Sequence, residues 1–168
     1  CPYCSGSMPL SRKGSIDGIE THKMNGIIQR RSYLKDKQRV SEAMGILLLV
    51  QDFTQVTFAN NLCQDLVIFV YFNTIESGIS HECYHAFAEY KNDTSFVITF
   101  WNAFINIMIS RYNAKEIIIW SDGGPKHFRT STHLGFWWSV SQQFETIGIT
   151  YNFFEAYHGH NACDGEAA

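Results

Sequence analysis

The stretch IIIWSDGGPKHF, residues 117–128, decides how the rest of this 168-residue sequence is interpreted. Its first four residues are apolar and mostly β-branched, and two glycines and a proline follow Asp122, a pattern typical of a buried strand that ends in a tight turn. Open α/β sheets place their sites at the carboxyl ends of strands, so Asp122 is a candidate functional residue. An aspartate that only begins a turn would produce the same local pattern.

A second apolar run, ILLLV at residues 46–50, leads towards Asp52. A continuous apolar run of this kind is typical of a central strand that is covered on both faces. Residues 55–59 and 65–74 predict two further strands, so the sequence predicts an antiparallel meander. Residues 75–92 are polar and irregular, and the pattern predicts no regular element there.

Helices and strands alternate in the second half of the sequence. The predicted elements are a helix capped by Asp93 or Thr94, a strand at 116–120, a helix at 129–144 and a strand at 147–154. In the first of these helices, the three- and four-residue steps of an amphipathic stripe run through Val97, Phe100, Trp101, Phe104, Ile105 and Met108. In the second, the candidates for burial are Leu134, Trp137, Trp138 and Phe144.

The predicted order is three strands, helix, strand, helix, strand, with a final helix truncated, which is the order of elements in the ribonuclease H-like fold. We therefore expect an α/β domain with a central, mixed, five-stranded sheet over residues 46–168. In that fold the first and fourth strands lie side by side at the centre of the sheet. Asp52 and Asp122 would then meet, with their carboxylates within about 7 Å, close enough to share a pair of metal ions.

Two aspartates at the ends of neighbouring strands suit metal-dependent phosphoryl transfer. A phosphodiester is anionic, and two divalent ions about 4 Å apart can clamp its attacking and leaving oxygens. Hard ions such as Mg²⁺ or Mn²⁺ prefer carboxylate oxygen, so these are the expected cofactors. A third acid is expected after the last strand, and the candidates are Glu155, Asp164 and Glu166.

Three blocks, DFTQ, SDGGPKHF and YNFFEAYHGHNACDGEAA, resemble those of a widespread eukaryotic family whose members are similar to DDE-type transposase domains with the ribonuclease H-like fold. The resemblance covers roughly residues 46–168, and the last block is the most specific. It implies Asp52 and Asp122 as the first two acids and Asp164 as the third, with His158 and His160 beside it. The usual third acid of DDE transposases is a glutamate on a helix, which keeps Glu166 as the alternative.

The histidines and cysteines allow more than one interpretation. His158 and His160 could orient a metal-bound water or contact phosphate, or only order a loop through hydrogen bonds. The string HECYH at residues 81–85 resembles the zinc-protease pattern, which needs a helix and a third ligand, so we favour a structural role. Cys1 and Cys4 form half of a zinc knuckle, and a tetrahedral Zn²⁺ site would need two further ligands.

Charge separates the amino-terminal segment from the rest of the chain. Residues 1–40 carry a net charge of +5 and residues 41–168 carry −8, which together give the net charge of −3. Residues 1–45 are predicted to form a loop and a basic helical arm, in which Ile27 and Leu34 lie seven residues apart, as do Tyr33 and Val40. A basic arm beside an acidic body is a hint of contact with nucleic acid, although a solvated helix face would look the same.

Composition narrows the class of protein further. The five cysteines lack the even count and regular spacing of a disulfide framework, so we expect reduced thiols in an intracellular protein. The expected location within the cell is the nucleus. No apolar run reaches membrane-spanning length, so no membrane partner is expected. The start at Cys1 suggests a fragment of a longer protein.

The sequence is compatible with two functions. One is a transposase-like nuclease or strand-transferase that acts on DNA, with an RNA-directed nuclease as a weaker variant. The other is a catalytically inactive module of the same fold that binds nucleic acid or protein.

Overall fold

The computed structural model describes residues 16–58, 61–88, 93–123, 127–155 and 163, and the statements below concern this part of the chain. Its elements are α1 (Ile16–Glu42), β1 (Ile46–Phe58), β2 (Asn61–Thr74), β3 (Gly78–Ala88), α2 (Thr94–Tyr112), β4 (Glu116–Asp122), α3 (Ser131–Gln143) and β5 (Gly148–Phe154).

The five strands form one mixed sheet in the order β3-β2-β1-β4-β5. β1, β2 and β3 make an antiparallel meander, while β4 is parallel to β1 and β5 is parallel to β4. This strand order, with β1 and β4 adjacent at the centre, is that of a ribonuclease H-like fold. The predicted fold class is therefore confirmed.

Side chains alternate between the two faces of the sheet and build two cores. Leu47 and Leu49 of β1 pack under α2 and α3, whereas Leu48 and Val50 pack under α1. β4 alternates in the same way, and its residues 117–120 are buried on both faces. The doubly covered apolar runs of β1 and β4 are thus the runs that the sequence assigned to central strands.

The assignment of the three meander strands was partly wrong. The two strands predicted at 46–50 and 55–59 are one long strand, β1, whose pairing with β2 extends from Leu48 to Phe58. The third strand of the meander is β3, which lies in the segment predicted to be irregular. β3 is an edge strand with mostly exposed or half-buried side chains, so its sequence lacks the apolar pattern that reveals buried strands.

The predicted apolar stripe of α2 is confirmed, with Val97, Trp101, Ile105 and Met108 buried, whereas the buried face of α3 differs from the expectation. Asp93 is the N-cap of α2 and accepts a hydrogen bond from the backbone N–H of Phe96, as predicted. In α3, only Trp137 of the four burial candidates is fully buried, and Trp138 is 66% exposed. α3 instead buries His133, a polar residue that an apolar count overlooks.

α1 packs along the sheet rather than extending away from it. Tyr33 and Val40 are buried against the strands, whereas Ile27 and Leu34 are about half exposed. Of the two predicted pairs, only Tyr33 and Val40 belong to the buried face of α1. The division between an arm at 1–45 and a domain at 46–168 stays a prediction. No described helix is long and apolar enough to cross a membrane.

Candidate active site

The pairing of β1 with β4 brings the two predicted aspartates together. The parallel register joins Val50 to Trp120 and Gln51 to Ser121. Asp52 and Asp122 are the next residues on the two strands after this last pair. Adjacent strands are about 4.8 Å apart, so the two backbones approach closely at this point.

Both aspartates belong to the same face of the sheet. Two residues before them, Val50 and Trp120 lie in the core under α1, and side chains repeat on one face every second residue. Asp52 and Asp122 are both half-buried. The Asp52 carboxylate accepts a hydrogen bond of 2.8 Å from the backbone N–H of Phe53, which helps to fix its orientation.

A buried polar network lies directly behind this pair, on the opposite face. The Gln51 amide donates to the Tyr151 hydroxyl at 2.7 Å, and that hydroxyl donates to Ser121 Oγ at 3.0 Å. The Trp101 indole in turn donates to Gln51 Oε1 at 2.9 Å. Burial raises the pKa of Tyr151 well above its usual value, so its hydroxyl remains a neutral link. The network ties β1, β4 and β5 together at the residues that precede the aspartates.

His133 extends the network into α3. Its Nε2 accepts a hydrogen bond of 3.1 Å from the Trp137 indole and lies 3.0 Å from the Tyr151 hydroxyl. Its Nδ1 is buried without a hydrogen-bond partner among the described residues. Burial lowers the pKa of His133 to about 4, so the ring is neutral near pH 7.

The end of β5 and the start of α1 close one side of the site. Glu155 Oε1 lies 3.1 Å from Nδ1 of His22, which joins the end of β5 to α1. Beside this contact is a cavity of about 390 Å³ whose lining includes Gln29, Trp120 and Arg129. Glu155, one of the three candidates for the third acid, is therefore engaged with α1.

Cys163 lies on the same face of the sheet as the aspartate pair. It is buried in the core under α1, and its thiol donates to the carbonyl oxygens of Val50 at 3.5 Å and Val67 at 3.7 Å. Val50 is two residues before Asp52, so Cys163 lies close to this pair.

Several predicted site residues lie outside the described residues. They are His158, His160, Asp164 and Glu166, together with Cys1 and Cys4 of the predicted half zinc knuckle. In the described part of the chain, no three His, Cys, Asp or Glu side chains are grouped so as to hold a metal ion. Asp52 and Asp122 offer two half-buried carboxylates, a donor type that fits Mg²⁺ or Mn²⁺.

The HECYH segment is part of strand β3 and not of a helix. The helical context that a zinc-protease motif needs is absent there, which agrees with the structural role that we favoured. The His81 ring instead packs on Phe69 and Tyr71, with centroid separations of 5.7 Å in both cases. His85 contacts the carboxylate of Asp65 through Nδ1 at 2.7 Å.

Sequence reasoning missed the polar residues that support the site. Gln51 and Ser121 each adjoin a predicted aspartate but point to the other face, and each is fully buried. A polar residue at the end of an apolar strand was the available signal for both. Tyr151 gave no such signal, because its partners Gln51 and Ser121 are 100 and 30 positions away along the chain.

The strand order and the two parallel strand pairs give this domain a ribonuclease H-like fold. The chain belongs to the family described as a domain of unknown function (DUF8701), whose model matches residues 43–168. No curated protein matches the chain.

Solved structures show distant likenesses. The chain resembles one chain of the cryo-EM structure of the simian T-cell lymphotropic virus intasome in complex with PP2A regulatory subunit B56 gamma, with 15% identity, 62% of this chain and 31% of that chain covered, and a TM-score of 0.41. The chain also resembles the HTLV-2 integrase catalytic core domain in complex with magnesium. The identity is 15%, 70% of this chain and 64% of that chain are covered, and the TM-score is 0.37. For Thermus thermophilus RuvC the identity is 7%, 62% of this chain and 63% of that chain are covered, and the TM-score is 0.32. The match spans less than two thirds of each solved chain, and at these TM-scores the fold assignment rests on strand order alone.

Proposed function

We propose that this protein is a DDE transposase-like nuclease or strand-transferase that cleaves DNA phosphodiesters with the help of divalent metal ions. The observation that carries the proposal is the register of β1 with β4, in which Gln51 pairs with Ser121. This register makes Asp52 and Asp122 neighbours on one face of two adjacent parallel strands. Two carboxylates fixed in that way are the minimum that a shared metal site requires.

The two aspartates would hold Mg²⁺ or Mn²⁺ through their carboxylate oxygens. When bound, such ions stabilise the negative charge that develops on the attacking and leaving oxygens of a phosphodiester. The contribution of the chain is rigid positioning, because the strands are hydrogen-bonded on both sides and Gln51, Tyr151 and Ser121 lock them together. Carboxylates held in advance at the right separation need little reorganisation during the reaction.

Asp164 is our choice for the third acid. It follows Cys163, whose thiol lies against the Val50 carbonyl, and consecutive Cα atoms are about 3.8 Å apart. The resemblance to transposase-like domains favours the same residue through the block HGHNACDG. His158 and His160 in that block are proposed to orient water or contact phosphate, and Glu166 remains the alternative acid.

Asp164→Asn is expected to abolish Mn²⁺-dependent cleavage with little change in melting temperature. Asparagine keeps most of the helix-capping ability of aspartate but lacks the charge that a metal needs. Nicking of a supercoiled plasmid and a thermal melt would be measured for Asp164→Asn and for Glu166→Gln. Full activity in Asp164→Asn with activity lost in Glu166→Gln would transfer the role to Glu166.

DNA is the proposed partner, and α1 offers a basic surface beside the site. The helix runs from the Glu155 contact at the carboxyl end of the sheet to the Arg39 contact with Glu116 at the other end. Its exposed basic residues include Lys23, Arg31 and Lys35. A strand of DNA that enters the site from this side would meet these cations. Because the proposed substrate is DNA, the proposed location is the nucleus.

Replacing Lys23, Arg31 and Lys35 together with glutamine is expected to weaken DNA binding and to flatten its salt dependence. Each lost phosphate contact lowers the slope of log K against log salt by about 0.9, so the triple variant should lose about 2 to 3 units of slope. Fluorescence anisotropy across a salt series would measure this. These substitutions are preferable to deletion of α1, because Tyr33 and Val40 of that helix are part of the core.

Lys115→Gln is the matched control for this experiment. Lys115 is exposed but lies at the start of β4, at the opposite end of the sheet from the aspartates. Lys115→Gln should leave the slope of log K against log salt unchanged. A triple variant that binds DNA with the wild-type slope would show that α1 is only a structural helix.

The test of the proposed function is metal-dependent nicking of supercoiled DNA by the purified chain. Cleavage should require Mg²⁺ or Mn²⁺ and should stop when the metal is chelated by EDTA. DNA binding without cleavage under every metal condition would instead support the inactive binding module.

A further inference from the structure

A cysteine, a histidine and an aspartate form a hydrogen-bonded relay on β2 and β3, apart from the aspartate pair. The Cys83 thiol lies 3.4 Å from Nε2 of His85, and Nδ1 of the same ring lies 2.7 Å from Oδ2 of Asp65. The antiparallel register opposes His85 to Val67, so Asp65 reaches the ring from two residues along β2. All three side chains share the face that carries α1.

The order of the relay fixes the role of each nitrogen. An ionised carboxylate only accepts hydrogen bonds, so Nδ1 of His85 carries the proton that Asp65 accepts. Nε2 of the neutral ring is then an acceptor, and it faces the thiol. The imidazole is therefore placed to take the proton of Cys83.

The carboxylate of Asp65 is buried beside the ring. The Asp65 side chain is only 3% exposed, and its Oδ1 has no hydrogen-bond partner among the described residues. The relay places an imidazole nitrogen next to the thiol. A thiol that passes its proton to a neighbouring imidazole becomes a thiolate, which is the reactive nucleophile.

The relay does not have the geometry of a metal site. The two ring nitrogens of His85 point in different directions, one to the thiol and one to the carboxylate. The three groups therefore do not converge on one point. This agrees with the absence of a metal-holding cluster from the described residues.

We propose that Cys83 is an oxidation site that reacts with small hydroperoxides to form a sulfenic acid. Cys83 is half-buried on an edge strand. Small size favours the access of a reactant to a half-buried thiol. The inference is independent of the proposed nuclease activity.

The reaction balances with the groups that are present. The thiol transfers its proton to Nε2 of His85, and the thiolate attacks one oxygen of the hydroperoxide. An S–O bond forms, the O–O bond breaks, and the sulfur loses two electrons to the peroxide. The leaving oxygen takes the proton from the imidazolium and departs as water or an alcohol.

Other charged and titratable groups also surround the thiol. Tyr71 of β2 is close enough to Cys83 for an electrostatic interaction. Lys37 of α1 lies over the Tyr71 ring, with its Nζ 4.1 Å from the ring centroid. His81 lies two residues before Cys83 on the same face of β3, just as His85 lies two residues after it. His81 packs on aromatic rings and makes no hydrogen bond to the thiol in the described structure, so it provides a matched control.

The experiment treats the full chain with hydrogen peroxide at pH 7 and traps the sulfenic acid of Cys83 with dimedone, followed by peptide mass spectrometry. His85→Gln and Asp65→Asn should each lower the rate of Cys83 oxidation by about threefold or more, because the gain in thiolate outweighs its reduced nucleophilicity. His81→Gln should stay within about twofold of the wild type. A wild-type rate in His85→Gln, or an equal loss in His81→Gln, would overturn the proposal.

The other cysteines report whether a variant is folded, and the unfolded wild type provides a second reference. Cys63 and Cys163 are only 7% and 3% exposed, so both should stay unmodified in any variant that folds. In the wild type, Cys83 should react at pH 7 at least as fast in the folded chain as in the chain unfolded in urea, despite its partial burial. A slower reaction in the folded wild type would overturn the proposal without any variant.

Discussion

Replacing Asp52 or Asp122 with asparagine is expected to lower Mn²⁺-dependent DNA cleavage by at least about 100-fold. A loss of this size corresponds to about 3 kcal/mol of activation free energy, which is a modest share of what bound metal ions contribute to such a reaction. Asparagine preserves the size and shape of the side chain but removes the charge. The fold should therefore be retained, and the rate of plasmid nicking and the melting temperature would be measured together.

Glu76→Gln is the control for the variants Asp52→Asn and Asp122→Asn. Glu76 is an exposed acid in the turn between β2 and β3, at the opposite end of the sheet from Asp52. The substitution Glu76→Gln removes one negative charge from the protein without touching the site. The variant should therefore cleave DNA at the wild-type rate. Wild-type cleavage by both Asp52→Asn and Asp122→Asn would show that the activity arises elsewhere.

His133 is expected to make the protein lose stability as the pH falls from about 6.5 to about 4. Burial holds the pKa of the folded-state ring at about 4, whereas an unfolded histidine titrates near 6.5. The unfolded state therefore binds a proton first, and the free energy of unfolding falls through this window while remaining constant above it. At 1.36 kcal/mol for each unit of pKa, the loss is at most about 3 kcal/mol.

Chemical denaturation at several pH values would measure this slope. His133→Gln should unfold with a shallower pH dependence, whatever its stability at pH 7, because it removes the titrating group. His81→Gln, which replaces an exposed ring, should keep most of the wild-type slope. An unchanged slope in His133→Gln would mean that other groups account for the acid sensitivity.

The central strands could be predicted because their signals are local. The apolar runs before Asp52 and Asp122 are short, continuous and covered on both faces, and each is visible within a few residues. The cap of α2 at Asp93 is equally local. The adjacency of β1 and β4, the strands that carry Asp52 and Asp122, then followed from the order of elements.

The remaining features depend on contacts that local sequence does not reveal. β3 is polar because it is an edge strand, so its residues lack the pattern of a buried strand. The relay of Asp65 and His85 and the network of Gln51 and Tyr151 join residues 20 and 100 positions apart. Only the strand register places these side chains together, and the register itself depends on the tertiary packing.

Joint binding of divalent metal by Asp52 and Asp122 is tested most directly by a crystal soaked in Mn²⁺. We expect an anomalous scattering peak bound by both carboxylates, which should lie within about 7 Å of each other. Asp122→Asn crystals soaked in the same way should lose the peak. Carboxylates directed to different faces of the sheet, or a wild-type crystal with no Mn²⁺ between them, would show that the two residues do not form a shared metal site.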